Sequence, residues 1–148
     1  MILKHTENSA VITIKNKQTA DGTSECTELI SEGRFYKAGE KFYLFYNEEE
    51  TEETAASIVQ ITVEENRLIM SRKGEFSSKM EYEAGVTNDF TYYTPFGDMV
   101  MQLSTERIEN KLTEAGGKMN LVYILRVNGE EIFNDLTITV KNERGEGT

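Results

Sequence analysis

The chain has 148 residues, of which 38% are hydrophobic, and it carries a formal net charge of −10 from 26 acidic and 16 basic residues. This length fits one domain with a sizeable core, and no apolar run approaches the ~20 residues that a membrane-spanning helix needs. Basic residues are scattered singly, whereas acidic residues cluster in Glu48–Glu53. We therefore expect neither nucleic acid nor an anionic membrane as a partner, and we interpret the acidic run as a solvated loop rather than a cation-binding patch.

Cys26 is the only cysteine and His5 is the only histidine. A single cysteine excludes an internal disulfide and a cysteine-based zinc site, and we expect Cys26 to be a small buried hydrophobe. His5 lies too close to the N-terminus to serve a Ser-His-Asp triad well, and one histidine cannot build a two-histidine metal site. We therefore expect no metal and no cofactor. The first residues lack the apolar core of a signal peptide, which favours a cytoplasmic protein.

Turn signals recur at short intervals, and the stretches between them alternate in polarity and are rich in β-branched and aromatic residues. This pattern is typical of an antiparallel meander, and Asn128-Gly129 is its strongest hairpin signal. Thr23–Gly33 also fits a capped helix, but its neighbours favour a strand. The polar tail 142–148 is expected to be disordered. Ten strands are predicted, at Ser9–Lys17, Glu25–Tyr36, Lys41–Asn47, Ser57–Glu64, Leu68–Lys73, Ser78–Glu83, Phe90–Thr94, Met99–Lys111, Lys118–Val127 and Glu131–Lys141.

A sheet of so many strands leaves unpaired backbone N–H and C=O groups on its two edge strands, and closing the sheet into a barrel removes these edges. Two packed sheets are the alternative, but they would need longer crossing connections than this sequence offers. We therefore predict an all-β fold, an antiparallel up-and-down barrel of about 8–10 strands, as a single domain over residues 1–148. The interior of such a barrel is wide enough for side chains or for one small ligand.

The only proline, Pro95, lies in the run Tyr92–Gly97. Proline has a fixed φ and no N–H to donate, so it belongs at a strand end, an edge or a bulge. Thr94–Gly97 also suits a type I turn, with proline second and glycine fourth. We expect this turn to be a corner at the rim of the barrel, with a trans proline.

Period-2 alternation assigns one face of each strand to the interior. Arg72 shares its face with Leu68 and Met70, so it is predicted to point inward near one end of the barrel. Its bidentate fork suits the carboxylate or phosphate of a ligand. The favoured alternative is that Arg72 reaches water or pairs with an acid such as Glu48.

Tyrosines and methionines also fall on the predicted inner faces, although ordinary core packing is the favoured explanation of the methionines. The residues expected to bind a ligand, on these faces or at the proline turn, are Arg72, Tyr46, Tyr82, Tyr92, Thr94, Phe96, Met99, Met101 and Tyr123.

Several runs resemble the YwiB-like proteins of Gram-positive bacteria, and the resemblance covers nearly the whole chain. Its most specific parts are Thr94–Gly97 and the turn Arg72–Gly74. The other matching runs are Gly33–Tyr36, Phe42–Glu48, Asn120–Leu125 and Leu136–Ile138. The resemblance implies a calycin-like (lipocalin-like) β-barrel in a bacterial cytosol and a family of unknown function. It supplies no catalytic or binding residues to carry over.

Three functions are compatible with these features. The sequence favours non-catalytic binding of a small apolar or amphipathic ligand inside the barrel. The alternative is a structural or protein-interaction module with a filled interior. Catalysis ranks last, and no catalytic residue is predicted, because no spacing marks a paired acid and base.

Overall fold

The computed structural model describes residues 8–49 and 56–142, and these residues form ten β-strands without a helix. The strands are β1 Ser9–Ala20, β2 Thr23–Ala38, β3 Lys41–Glu48, β4 Ser57–Glu64, β5 Arg67–Gly74, β6 Ser78–Glu83, β7 Thr87–Thr94, β8 Gly97–Asn110, β9 Gly116–Val127 and β10 Glu130–Asn142.

Each predicted strand is present, and the bounds differ by a few residues at most. The stretch that also fitted a helix, Thr23–Gly33, lies in β2. The strand β10 continues through Asn142, and the rest of the predicted tail lies outside the described residues, as do His5 and most of the acidic run. No helix in the described part of the chain could cross a membrane.

The strands form one antiparallel sheet in the order β6-β5-β4-β3-β2-β1-β10-β9-β8-β7. Each strand pairs with its neighbours in sequence, except that β6 and β7 form no ladder with each other, and β1 also pairs with β10 along ten residue pairs from Ala10–Asn142 to Thr19–Phe133. The sheet is interrupted between β6 and β7, which we call the seam. A bridge with two backbone hydrogen bonds, of 3.0 and 2.9 Å, joins Ser77 and Tyr93 across it. The predicted all-β up-and-down barrel is thus confirmed, and it is nearly closed.

Alternating side chains build the core, as the period-2 pattern predicts. In β4, Val59, Ile61 and Val63 are fully buried, whereas Ile58 and Gln60, which have the opposite parity, are exposed. The same alternation continues in β3, β5, β9 and β10. The largest fully buried side chains come from nine different strands and are Tyr82, Phe35, Ile12, Leu44, Ile61, Leu68, Leu103, Met119, Leu121, Ile138, Val59 and Val63.

Two local irregularities help the sheet to curve. Gly33 in β2 lies so close to β3 that an added Cβ would meet the Phe45 carbonyl oxygen and, at 2.9 Å, the end of the Ile12 side chain. In β8 the register with β9 shifts between Thr105 and Arg107, which marks a β-bulge. Glycine and bulges are the usual devices that bend strands at barrel corners.

Cys26 is exposed, so the prediction that it is buried is wrong. The reason is its position in β2. Pairing of β2 with β3 begins only at Gly33, so the first half of β2 pairs with β1 alone. Cys26 lies opposite Lys17 on the outer face, where β2 pairs with β1 but not with β3.

The proline turn joins β7 to β8 through the two-residue loop Pro95-Phe96. The Thr94 hydroxyl accepts a hydrogen bond from the Phe96 N–H (3.1 Å) and donates one to the Gly97 carbonyl (2.7 Å). All peptide bonds among the described residues are trans, so the predicted trans proline is confirmed.

Candidate functional site

The two ends of the barrel differ in how they are filled. At the end formed by the β2–β3 and β4–β5 turns, Phe35, Val63 and Leu68 are fully buried, and the Phe35 and Phe42 rings stack with centroids 5.6 Å apart. At the other end, near the β1–β2 and β9–β10 hairpins, the interior holds a cavity of about 550 Å³. The cavity is lined by Ile14, Asn16, Thr27, Glu28, Leu29, Tyr46, Glu48, Met70, Arg72, Met80, Tyr82, Tyr123, Leu125 and Leu136.

A bidentate ion pair lies on one wall of this cavity. Arg72 Nε donates to Glu48 Oε1 (2.9 Å) and Arg72 Nη2 donates to Glu48 Oε2 (3.0 Å). Ser57 adds a hydrogen bond to Glu48 Oε1 (2.8 Å). The side chains of Arg72 and Glu48 are only 22% and 27% exposed. Parallel charge-assisted hydrogen bonds of this kind are among the strongest polar contacts in proteins.

The ion pair holds both groups in their charged forms. Burial raises the pKa of Glu48, but hydrogen bonds from Arg72 and Ser57 and the charge of Arg72 outweigh it, so that the net pKa lies below its usual value. For Arg72, burial lowers the pKa, and the contacts with Glu48 more than offset that effect. Pairing of Arg72 with Glu48, the alternative favoured from the sequence, is therefore confirmed.

Three buried tyrosines surround the inner end of the cavity. Tyr82 and Tyr123 contact each other edge to face, with ring centroids 4.8 Å apart. The Tyr82 hydroxyl donates to the sulfur of Met80 (3.7 Å), and Tyr46 lies beside the ion pair on β3. Burial raises the pKa of all three phenols above the usual value, so they stay protonated at neutral pH. They offer the cavity aromatic faces and hydroxyl groups rather than charge.

Side-chain amides on β1 and β10 form a separate polar group near the same end of the barrel. The Asn134 Oδ1 atom accepts hydrogen bonds from Asn16 Nδ2 (3.1 Å) and from Gln18 Nε2 (2.9 Å). Asn134 Nδ2 donates to the Ile132 carbonyl (3.0 Å). Asn16 Oδ1 is buried and has no hydrogen-bond partner among the described residues. Asn16 itself lines the cavity, so this wall is polar but uncharged.

Four of the nine residues expected to bind a ligand come together at the cavity, namely Arg72, Tyr46, Tyr82 and Tyr123. The other five, Tyr92, Thr94, Phe96, Met99 and Met101, are not part of its lining. Their strands explain the difference. Pairing of β8 with β9 begins only at Gln102, so the first residues of β8 pair with β7 alone and the end of the β7–β8 hairpin extends past β9.

The projecting hairpin exposes two of these side chains and leaves the other three half-buried. Phe96 is 91% exposed and Met99 38%, while Tyr92 packs against Phe76 with ring centroids 5.9 Å apart. The turn therefore lies at one end of the barrel, as expected, but it extends away from the cavity.

Three polar residues of this region were not among the predicted ligand-binding residues: Glu48, Asn16 and Asn134. The alternation of inward and outward side chains along each strand could have identified all three. Glu48 follows Tyr46 by two residues, Asn16 follows Ile14 by two, and Asn134 precedes Leu136 by two. A polar side chain that continues an apolar inward row is a signal for a polar group inside the barrel.

A second concavity, of about 520 Å³, lies on the outer face of β1, β2 and β10. Its charged side chains include Lys15, Lys17 and Glu28, and Lys15 pairs with Glu28 at 3.7 Å. Because these groups are exposed and solvated, the interior cavity is the stronger candidate site. Within residues 8–49 and 56–142, no cluster of three or more His, Cys, Asp or Glu side chains could hold a metal ion.

Comparisons with known proteins agree with this architecture. A curated protein of Bacillus subtilis (strain 168), described as "Uncharacterized beta-barrel protein YwiB", is 27% identical over 134 residues, which are 90% of this chain and 93% of that protein. The crystal structure of the YwiB protein from Bacillus subtilis superposes with a TM-score of 0.84 at 24% identity and covers 93% of each chain, which supports the fold alone. The model of a family described as "Domain of unknown function (DUF1934)" matches residues 12–139. Because that match spans most of the sequence, the chain belongs to the DUF1934 family.

Proposed function

We propose that this protein binds one small apolar or amphipathic molecule in the cavity of its barrel and does no chemistry on it. The observation that carries the proposal is the cavity itself. Its volume of about 550 Å³ falls within the roughly 300–1,000 Å³ that is usual for small-molecule sites. Its lining combines apolar side chains such as Met70, Met80, Leu125 and Leu136 with a few convergent polar groups, as such sites commonly do.

The size of the cavity favours binding over a structural module with a filled interior. A filled interior would leave voids that hold a water molecule or two, and each water occupies roughly 30 Å³. The space here is more than ten times that volume. Calycin-like barrels, which the sequence resembles, commonly carry apolar ligands in their interiors, but that likeness is an analogy of fold only.

The groups around the cavity suit binding better than proton transfer. A general acid or base works best with a pKa near the working pH. Here Arg72 lowers the pKa of Glu48, and burial raises the pKa of Tyr46, Tyr82 and Tyr123. All four shifts lead away from neutrality, which supports a non-catalytic role.

The test uses the uncharged fluorescent probe N-phenyl-1-naphthylamine together with native mass spectrometry of gently purified protein. We expect wild-type protein to bind the probe at one site and Leu125→Trp to weaken that binding at least about tenfold, because the indole occupies part of the cavity. Val122→Trp is the matched control, since Val122 lies on the same strand with the opposite parity and is half-buried on the outer face. It should bind the probe as wild type does.

A wild-type protein that shows no adduct by mass spectrometry and no saturable probe binding would contradict the proposal. Equal binding by the two tryptophan variants would place the probe outside the cavity and would count against it too. A cytoplasmic location is part of the proposal, and fractionation of the source cells checks it directly.

A further inference from the structure

The charge balance of the cavity limits what kind of polar group a ligand can carry. Arg72 and Glu48 are the charged residues on its inner wall, and their side chains neutralise each other through two short hydrogen bonds. Glu28, the third charged residue of the lining, is exposed and pairs with Lys15 on the outer face. No positive charge in this lining is left without a partner.

An anionic ligand would therefore compete with Glu48 for Arg72. To reach the guanidinium fork it would have to displace a carboxylate that also accepts a hydrogen bond from Ser57. The displaced carboxylate would remain partly buried beside a second negative charge. Breaking a buried ion pair in this way is strongly unfavourable because it leaves an uncompensated charge.

An uncharged ligand meets no such cost. The tyrosine rings and the methionines offer apolar contacts, while the protonated phenols and the Asn16 amide offer hydrogen bonds without charge. The arrangement matches the buried sites in which a few neutral polar groups orient a mostly apolar molecule.

Given the binding function proposed above, we infer that the cavity selects uncharged amphipathic ligands over anionic ones, and that Glu48 is the residue that sets this preference by occupying Arg72. Glu48 is a specificity determinant: it excludes anions from the one buried cation of the lining.

Two probes that share a skeleton test the inference. N-Phenyl-1-naphthylamine is uncharged, and 8-anilinonaphthalene-1-sulfonate adds one sulfonate to the same anilinonaphthalene frame. We expect wild-type protein to bind the uncharged probe at least about tenfold more tightly. Because the whole protein is acidic, both affinities are measured in about 0.5 M salt, which screens surface charge far more than the buried pair.

Glu48→Gln should remove most or all of the preference. It frees the Arg72 guanidinium, so the sulfonate probe should bind at least about tenfold more tightly than to wild type, while the uncharged probe changes by less than about threefold. Glu109→Gln removes the same charge from an exposed position on β8 and should change neither affinity. The double variant Glu48→Gln/Arg72→Gln should lose the gain in affinity for the sulfonate probe. It also removes the unpaired arginine, so it can be measured if the single variant folds poorly.

The outcomes separate this inference from the proposed function. Equal affinities of wild type for the two probes, or no gain for the sulfonate in Glu48→Gln, would overturn the role of Glu48 and leave the binding function standing. Failure of wild type and of Glu48→Gln to bind either probe would overturn both.

Discussion

The ion pair with Glu48 determines whether the guanidinium of the inward-pointing Arg72 is available to a ligand. Parity alone predicts that Arg72 points into the barrel, and the structure agrees. Parity does not say which acid it meets, because Glu48 lies 24 residues away and reaches Arg72 only through the register of β3, β4 and β5. The proposed preference for uncharged ligands rests on this contact between Arg72 and Glu48.

The ion pair should make stability depend on pH in the acidic range. The native pKa of Glu48 is lowered, so the unfolded chain takes up its proton first as the pH falls. Its contribution to the free energy of unfolding is therefore fully present above the ordinary glutamate pKa of about 4.3 and is lost as the pH falls through the native value. Urea unfolding of wild type and Glu48→Gln should show a difference that is constant from about pH 6 to 8 and shrinks below about pH 4.

The pH measurement has a control variant and an outcome that would contradict it. Glu109→Gln is the control, since that carboxylate is exposed on β8 and the difference from wild type should stay small at every pH. A difference between wild type and Glu48→Gln that grew as the pH fell would contradict the assigned direction of the pKa shift.

For the strands, the sequence predicted their positions and their order along the chain well. It did not predict how far each strand extends beyond its neighbour in the sheet. Alternation of polar and apolar residues located all ten strands, because each strand turns one face to the core. It could not show that β2 extends beyond β3, or that β8 extends beyond β9, since overhangs depend on the lengths of two strands at once. Both overhangs displaced predicted residues: Cys26 is exposed, and Phe96 and Met99 lie away from the cavity.

The bend of β2 at Gly33 makes a prediction about this element. A Cβ at this position would clash with the Phe45 carbonyl oxygen, which is backbone and cannot rotate away. Gly33→Ala should therefore lower the free energy of unfolding by at least about 2 kcal/mol, because strands β2 and β3 must separate to admit the methyl group. Urea denaturation measures the change.

Gly39→Ala is the matched control for Gly33→Ala. Gly39 lies in the β2–β3 turn with a φ of 65°, and an added Cβ there meets no atom within 4 Å. Its cost should be limited to the left-handed backbone, roughly 1 kcal/mol. Equal losses for the two variants would mean that close approach of the strands is not what requires glycine at position 33.

For the whole molecule, the sequence predicted that the sheet closes into a barrel, but it did not predict between which two strands the barrel is interrupted. Short connections favoured a sequential barrel, and the natural place for a gap in such a barrel is between the first and last strands. The structure has β1 and β10 paired along ten residue pairs and puts the gap between β6 and β7, which follow each other in the chain. The short β6, of six residues, cannot pair along the whole of β7.

The seam should therefore be the first part of the barrel to open. Among the described residues, the strand β6 has a full ladder only with β5. Its links to β7 are the Ser77–Tyr93 bridge just before β6 and one hydrogen bond from Asn88 Nδ2 to the Glu81 carbonyl (3.0 Å). Native-state hydrogen exchange should be faster in β6 and β7 than in β1 and β10, because amides of strands with one partner open at lower free energy. Mass spectrometry of peptic peptides measures the difference.

A disulfide between positions 77 and 93 tests whether opening at the seam controls hydrogen exchange in β6 and β7. Ser77 and Tyr93 exchange two backbone hydrogen bonds, a geometry with Cα atoms about 5.5 Å apart, which a disulfide can span. In a Cys26→Ser background, oxidised Ser77→Cys/Tyr93→Cys should slow exchange in β6 and β7 and leave β1 and β10 unchanged. The reduced protein is the control. If β1 and β10 exchanged as fast as β6 and β7 before oxidation, the barrel would open at its terminal strands instead.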